Sequence, residues 1–300
     1  MKLDSKLAGT RLAPHNAKIT WRDTTNFAAA IQDDNPLYFD DTRENGLVAP
    51  PTFPVAVTWP ILSNLGRYIE SREFPKEVLF TQVHYTEHLI LHRLVRPGDA
   101  LDLTGQIAAL LPHRAGTHAV IELTATDKEK KPVFTEYIGA MLRGVECLGE
   151  AGRQQLPSLP EFDPPDPPDP PGAPVWTCKR KIERWLPYVY DGCTHIEFPI
   201  HTSPKFAKEV GLSGIILQGT ATLALAVREI VNREADGDPD RISQIACNFT
   251  GMVKPGTTIE INCLGYKEHF HHRDIFFNVL NADNKQALRS GYLKLKKEPA

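Results

Sequence analysis

Sulfur, net charge and long apolar runs are all scarce in this chain, and each shortage closes off a class of protein. Among 300 residues there are five cysteines and three methionines. Cys147, Cys178, Cys193, Cys247 and Cys263 are odd in number, far apart and free of any C-x-x-C pair, so they read as reduced thiols rather than a disulfide framework or a zinc ribbon. A formal net charge of −3 supplies no field to gather nucleic acid or an anionic membrane. The longest apolar run, near Ile215 to Val227, is broken by Gln218, Gly219 and threonines, too interrupted to span a bilayer. The start, Met1-Lys2-Leu3-Asp4-Ser5-Lys6, is polar with no apolar stretch behind it, so the expectation is a cytoplasmic protein with no membrane association. Lys297-Glu298-Pro299-Ala300 is not a peroxisomal Ser-Lys-Leu tail. No G-x-S-x-G elbow, Walker A loop or dinucleotide fingerprint occurs, which argues against several common enzyme classes. No cofactor is expected, and no metal.

Proline, by contrast, is abundant, with 25 in the chain. Many lie between Gln154 and Pro174, centred on Pro164-Pro165-Asp166-Pro167-Pro168-Asp169-Pro170-Pro171. Proline removes ladder donors and helical continuity, so residues 151–175 are expected to be a stiff extended connector between domains at 1–150 and 176–300. At about 3.1 Å per residue, some twenty residues cross on the order of 60 Å. Such a tract could also serve as a ligand for a proline-recognising domain, but its place between two equivalent halves favours the joining role.

The halves are equivalent because short blocks recur in one order. The first half carries Asp33-Asp34-Asn35-Pro36-Leu37, then Gly46-Leu47-Val48-Ala49-Pro50-Pro51-Thr52-Phe53, then His92-Arg93-Leu94-Val95-Arg96-Pro97-Gly98-Asp99. The second carries Pro199-Ile200-His201-Thr202, Gly214-Ile215-Ile216-Leu217-Gln218-Gly219-Thr220, and Val253-Lys254-Pro255-Gly256. Pro36 to Pro199, Gly46 to Gly214 and Pro97 to Pro255 are offset by about 163, 168 and 158 residues, a lag that marks an internal duplication. Within each half the pattern predicts loop and short helix, one apolar helix, then alternating strands. The first helix is expected over Phe53 to Ile69, with Pro54 and Pro60 questioning its start, and its strands over Val78 to Leu91, Ala100 to Ala109, Ala119 to Asp127 and Val133 to Arg143. The second helix is expected over Thr220 to Asn232, with strands over Arg241 to Val253, Thr258 to Tyr266, Arg273 to Asn281 and Gln286 to Lys296.

These blocks resemble the MaoC-like dehydratases, the (R)-specific enoyl-CoA hydratases, in the version with two hotdog domains on one chain. The resemblance implies an α+β double hotdog: two antiparallel sheets, each wrapped around a central helix, set edge to edge. It further implies reversible hydration or dehydration of a 2-enoyl or 3-hydroxyacyl thioester, CoA-linked in the leading reading. An acyl-CoA or other acyl thioester is then the substrate partner, and further pairing into a homodimer is compatible but not required. Two alternatives stand beside it: a catalytically silent acyl-CoA-binding protein or partner subunit, and an acyl-CoA thioesterase.

Hydrating a 2-enoyl thioester requires a water aimed at Cβ, a base for its proton, an acid for Cα, and donors on the thioester oxygen. The family signature G-D-x-N-P-L-H places an aspartate and a histidine around that water, and neither copy here is complete. The second copy keeps His201 but has Ile196 at the aspartate position, leaving Glu197 or Asp191 as substitutes unless both are ordinary surface charges. Phe198 replaces the asparagine. By the same resemblance Gly219 opens the central helix and supplies an N–H to the thioester oxygen, with Gln218 and Thr220 beside it on the substrate; a helix start also needs such residues for its own sake. The first copy keeps Asp33 and Asn35 but has Tyr38 at the histidine position, a poor base at neutral pH. These three are expected to contact substrate, with a turn and helix cap as the competing role for Asp33 and Asn35. The loops bearing Asp33 and His201 are expected in separate pockets.

His84, His88 and His92 recur every four residues. On a strand they share one face about 13 Å apart, too far for one ion. Glu268-His269-Phe270-His271-His272-Arg273-Asp274 reads as a polar hairpin tip, with Arg273 as a candidate grip on CoA phosphates.

Overall fold

Period-two burial runs through most of the second part of each half. In Gly116–Thr126 and Thr258–Glu268 alternate side chains turn inward, the pattern of a sheet with one face on the core. The computed structural model describes residues 1–161 and 173–297; the Pro-Asp centre of the expected connector lies outside these. The first half contains β1 (Lys2–Asp4), β2 (Arg11–Lys18), α1 (Trp21–Ala30), α2 (Pro36–Phe39), α3 (Pro54–Leu62), α4 (Leu65–Tyr68), β3 (Gln82–Leu91), β4 (Ala100–His113), β5 (Gly116–Thr126), β6 (Pro132–Arg143) and β7 (Glu146–Leu148). The second contains β8 (Trp176–Lys181), α5 (Leu186–Thr194), α6 (Pro199–Thr202), α7 (Pro204–Glu209), α8 (Gly219–Glu234), β9 (Ile242–Phe249), β10 (Thr258–Glu268), β11 (His272–Leu280) and β12 (Gln286–Lys296).

Ten strands make one antiparallel sheet in the order β2-β4-β5-β6-β3-β9-β12-β11-β10-β8, while β1 and β7 pair in parallel beside it. The order of the first five strands is repeated in reverse by the last five, so the duplication is visible as a pseudo-two-fold through the β3–β9 pair. There Thr86 to Ile90 runs against Asn248 to Gln244. This is a double hotdog, and its two expected sheets are continuous. Inside the curve, α8 buries Thr220 through Val227, then Glu229, Ile230 and Val231, which is why so apolar a helix is stable in water. No helix among the described residues is long and apolar enough to cross a membrane.

Several boundaries differ from expectation. The first-half helix stops at Leu62, with α4 a separate turn; Pro60 offers no N–H and crowds the preceding turn, so the ladder does not continue to Ile69. No proline interrupts α8, which runs slightly beyond its expected ends. Lys76–Thr81 is a 3-10 turn rather than the start of a strand. At the expected connector, Ala151 exchanges two backbone hydrogen bonds with Leu110 and Arg153–Gln155 forms a turn, so these residues still belong to the packed domain. Edge strands β2 and β8 and the helices α1 and α5 were not among the elements expected individually.

Candidate active site

His201 owes its orientation to a run of tight local turns. Helix α5 ends at His195, which adopts a left-handed φ of 57° and closes the last turn onto the Asp191 carbonyl. Ile196 is buried in the core, and Pro199 opens the single turn α6, whose third residue is His201. The His201 Nδ1 lies 2.9 Å from the Ile216 carbonyl oxygen. A carbonyl accepts, so this bond places the ring proton on Nδ1 and leaves a lone pair on Nε2. Burial lowers the imidazole pKa, partly offset by the Ile216 bond, so the ring is a neutral base at cellular pH.

Three residues beyond Ile216 the central helix begins. Gln218 occupies the N-cap position of α8 without capping through its side chain; its Nε2 donates instead to the Pro187 carbonyl at 3.0 Å. The first-turn N–H groups thus have no capping side chain, and the helix dipole adds partial positive charge there. At Gly219 a Cβ would meet the Phe249 ring at 2.9 Å, so the residue is required by close approach. Thr220 is buried, and its hydroxyl, like that of Tyr190, is enclosed without a hydrogen-bond partner among the described residues.

The two substitute carboxylates have different surroundings. Glu197 is 71% exposed and faces His195 at 4.0 Å. Asp191 is turned toward the His201 loop: burial and then the Glu197 charge raise its pKa, while the Phe198 N–H and His195 act the other way. The Phe198 ring itself stands edge-on to His201 at 6.3 Å between centroids.

The first copy of the signature is packed differently. Asp33 Oδ1 accepts from the Asn35 N–H at 3.2 Å, Asn35 Oδ1 caps α2 through the Leu37 N–H at 3.0 Å, and Asn35 Nδ2 donates to the Gly237 carbonyl at 2.6 Å. Tyr38 is 1% exposed, and burial followed by the Asp33 charge pushes its pKa well above ordinary. Arg228 of α8 reaches the same region, donating to Ile31 at 3.1 Å and lowering the Asp33 pKa against the larger upward effect of burial. This loop therefore lies by the far end of α8 and His201 by its start, roughly 20 Å apart at 1.5 Å per residue.

Sequence reasoning passed over a second group of polar side chains beneath the sheet. Glu87 and Glu136 are 1% and 0% exposed, on one face of adjacent strands, since Glu87 lies opposite Ile138 and Leu89 opposite Glu136. They contact one another, and Glu136 also meets Thr58 of α3. A register shift between His84 and Thr86 turns His84 to the same side, with Nε2 3.1 Å from Glu87 Oε2. That bulge corrects the expectation that His84, His88 and His92 share a face; His88 points instead toward Tyr137. The His84 side chain is 27% exposed along its ring while Nε2 is enclosed. Burial lowers its pKa to about 4 and raises that of Glu87 to about 8, so enclosure works against the charged form of each. The signal available in sequence was a glutamate at an inward position of each strand.

Arg184, Tyr188, Ser213, Gly214, Ile215, Lys254 and Pro255 line an open groove of about 500 Å³ beside the segment leading to α8. Arg273 is not available to phosphates: it is engaged by Glu234 at 3.3 Å and Glu268 at 2.5 Å and lies over Tyr266. At the same hairpin tip His269 and His272 approach Asp274 at 3.0 and 3.5 Å, and Tyr292 donates to it at 2.8 Å.

Residues 181–279 match the family description "MaoC like domain", and residues 6–136 match "FAS1-like, dehydratase domain region". A probable enoyl-CoA hydratase 2 of Dictyostelium discoideum is 24% identical over 263 residues, 85% of this chain and 84% of that protein. The structure of a MaoC-like dehydratase from Phytophthora capsici superposes with a TM-score of 0.80 at 19% identity, over 98% of this chain and 99% of that one. A conserved Mycobacterium tuberculosis protein with a double hotdog fold superposes with a TM-score of 0.56 at 15% identity, over 94% of each chain.

Proposed function

That this chain belongs to the MaoC-like dehydratase and enoyl-CoA hydratase 2 family, with a double hotdog fold, is the premise from which we propose that it reversibly hydrates a 2-enoyl thioester, CoA-linked, at the His201 site. The observation that carries this reading is the His201 to Ile216 bond, which holds a neutral imidazole with its lone pair on Nε2 next to an uncapped helix start. In the hydration direction Nε2 takes a proton from water as the oxygen bonds to Cβ. The π electrons move toward the thioester oxygen, where the Gly219 and Thr220 N–H groups and the dipole of α8 stabilise the enolate. A proton delivered to Cα completes the 3-hydroxyacyl product. Arg184 and Lys254 on the adjoining groove are suited to the phosphates of a CoA handle.

The experiment is incubation with crotonyl-CoA and longer 2-enoyl-CoAs while following the 2-enoyl absorbance. His201→Ala is expected to lower kcat about 100-fold or more. Because the imidazole pKa is depressed, activity of the intact enzyme is expected to rise with pH through a midpoint below 6.5. Unchanged turnover in His201→Ala would overturn the mechanism. The buried Ile196 gives the silent-binder reading its specific support, and that reading is favoured if acyl-CoA binds by calorimetry with no change in the enoyl absorbance. Release of free thiol would instead indicate a thioesterase.

A further inference from the structure

The polar tip of the β10–β11 hairpin takes no part in the His201 chemistry. Its geometry is fixed by the sheet register: Lys267 pairs with Asp274 and Glu268 with Arg273, and the His269 N–H donates to the His272 carbonyl at 2.9 Å, leaving Phe270 and His271 as the turn residues. Successive strand side chains alternate in face, so His269, His272 and Asp274 lie on one side of the ribbon and Glu268 and Arg273 on the other. Arg273 turns toward Glu234 at the last turn of α8. The tip therefore stands by the far end of that helix, with its histidines on the opposite face of the sheet, where Phe276 and Tyr292 form a small cluster apart from the main core.

Three ligand-type side chains converge on that face. His269 Nε2 is 3.0 Å from Asp274 Oδ2 and His272 Nε2 is 3.5 Å from Asp274 Oδ1, and one ligand atom from each residue lies within 4.8 Å of the others. Two ligands held about 2.0 to 2.1 Å from a tetrahedral ion stand about 3.3 Å apart, so the nitrogen-to-oxygen spacings already suit one small cation. The two imidazoles are stacked, 4.3 Å between centroids and 13° between planes, with both Nε2 atoms toward the same carboxylate. That carboxylate is the anchored member: its side chain is 4% exposed, and the Tyr292 hydroxyl donates to Oδ1 at 2.8 Å, the kind of outer bond that orients a ligating carboxylate. The histidine side chains are half-buried, so an ion has a way in from solvent. Lys267 and Lys294 flank Asp274 across the two ladders, and a dipositive ion binds against their charge.

We propose that His269, His272 and Asp274 form a binding site for a divalent ion of the zinc class, with Tyr292 as the outer partner of the carboxylate. Two imidazoles and one carboxylate, with no thiolate among them, suit Zn²⁺ or Co²⁺ better than Ca²⁺ or Mg²⁺, which take shells of oxygen. Three protein ligands leave the fourth position of a tetrahedral ion to water. Bound there, the ion ties the hairpin turn to β11 and, through Tyr292, to β12. The site lies by the other end of α8 from His201 and is independent of the hydratase reading.

The test titrates Zn²⁺ alone into the full chain in competition with a chromophoric chelator, and repeats the titration with Co²⁺ to read its visible absorption. The unmodified protein is expected to bind one ion per chain here and to gain thermal stability as zinc concentration rises. His269→Ala, His272→Ala and Asp274→Asn are each expected to weaken binding about 100-fold or more, and Tyr292→Phe about 10-fold. His271→Ala, which alters a ring packed edge-on to Phe270, is expected to bind as the unmodified protein does. His269 lies on the turn and is half-buried, so His269→Ala keeps the fold, which circular dichroism of the metal-free variant checks. Failure of the folded, unmodified protein to take up zinc overturns the proposal and leaves a hydrogen-bonded triad in which Nε2 carries the proton. Uptake that His269→Ala and Asp274→Asn leave unchanged overturns it too, by assigning the ion to other groups such as the cysteines.

Discussion

At the scale of single residues, chemistry around His201 turns on which carboxylate can reach the loop. Glu197 follows Ile196 directly but its side chain stands in solvent beside His195, where water screens whatever charge it carries. Asp191 lies one helical turn earlier, and its pKa is raised, chiefly by burial, with the Phe198 N–H acting in the opposite direction. Asp191→Asn is therefore expected to lower kcat by about 10-fold or more and to shift the acid limb of the pH profile, whereas Glu197→Gln should stay within about 2-fold. Steady-state kinetics on one enoyl-CoA checks both, and equal effects would remove the distinction. The histidine was legible because its flanking Pro199 and Thr202 survive. Its missing companion was legible as an isoleucine, but the side of α5 from which Asp191 approaches depends on the left-handed turn at His195, which local sequence does not announce. Glu87 was passed over for a related reason: the bulge that sets His84 beside it depends on pairing with β6.

The elements were read best where one influence dominates. Helix α8 has no proline and buries an unbroken run from Thr220 to Val227 before its charged last turns, so burial largely sets its extent, and its observed limits lie close to those expected. Around Pro60 propensity and burial conflict, and the helix ends early. The edge strands β2 and β8 carry short, mostly half-buried alternations, weak signals unless the neighbouring strand is known. Contact also decides what the start of α8 tolerates. Gly219→Ala would set a methyl against Phe249, and the expected cost is about 1 to 3 kcal/mol of stability with a larger proportional loss in kcat than in thermal midpoint, because the displaced turn carries the N–H groups proposed to receive the thioester oxygen. Urea titration alongside kinetics separates these effects. Retained kcat would show that the glycine serves packing alone.

For the molecule as a whole, the duplication sets the two signature loops at opposite ends of α8. The first signature loop now ties itself to the far end of α8 through the Asn35 to Gly237 bond, while the second faces the start of that helix. Between them the joint of the sheet shelters the carboxyl pair, and this affects global stability. Both glutamates sit above the ordinary value of 4.5 in the folded protein. Above that pH the native state binds more protons than the unfolded chain, and stability should fall as pH rises until the pair ionises. Thermal midpoints are expected to decline from about pH 5 to about pH 8, and replacing both residues by glutamine should flatten that decline. An identical slope in the double variant would mean that other groups govern it.

The outer borders of the sheet carry a separate implication. Its terminal strands are β2, containing Pro14, and β8, whose Lys179 and Lys181 lie among alternating exposed positions. A missing amide hydrogen at one rim and clustered ammonium groups at the other discourage a further strand from docking there. Crowded chains should accordingly resist lateral ribbon growth, and any higher-order assembly would have to use the faces of the molecule.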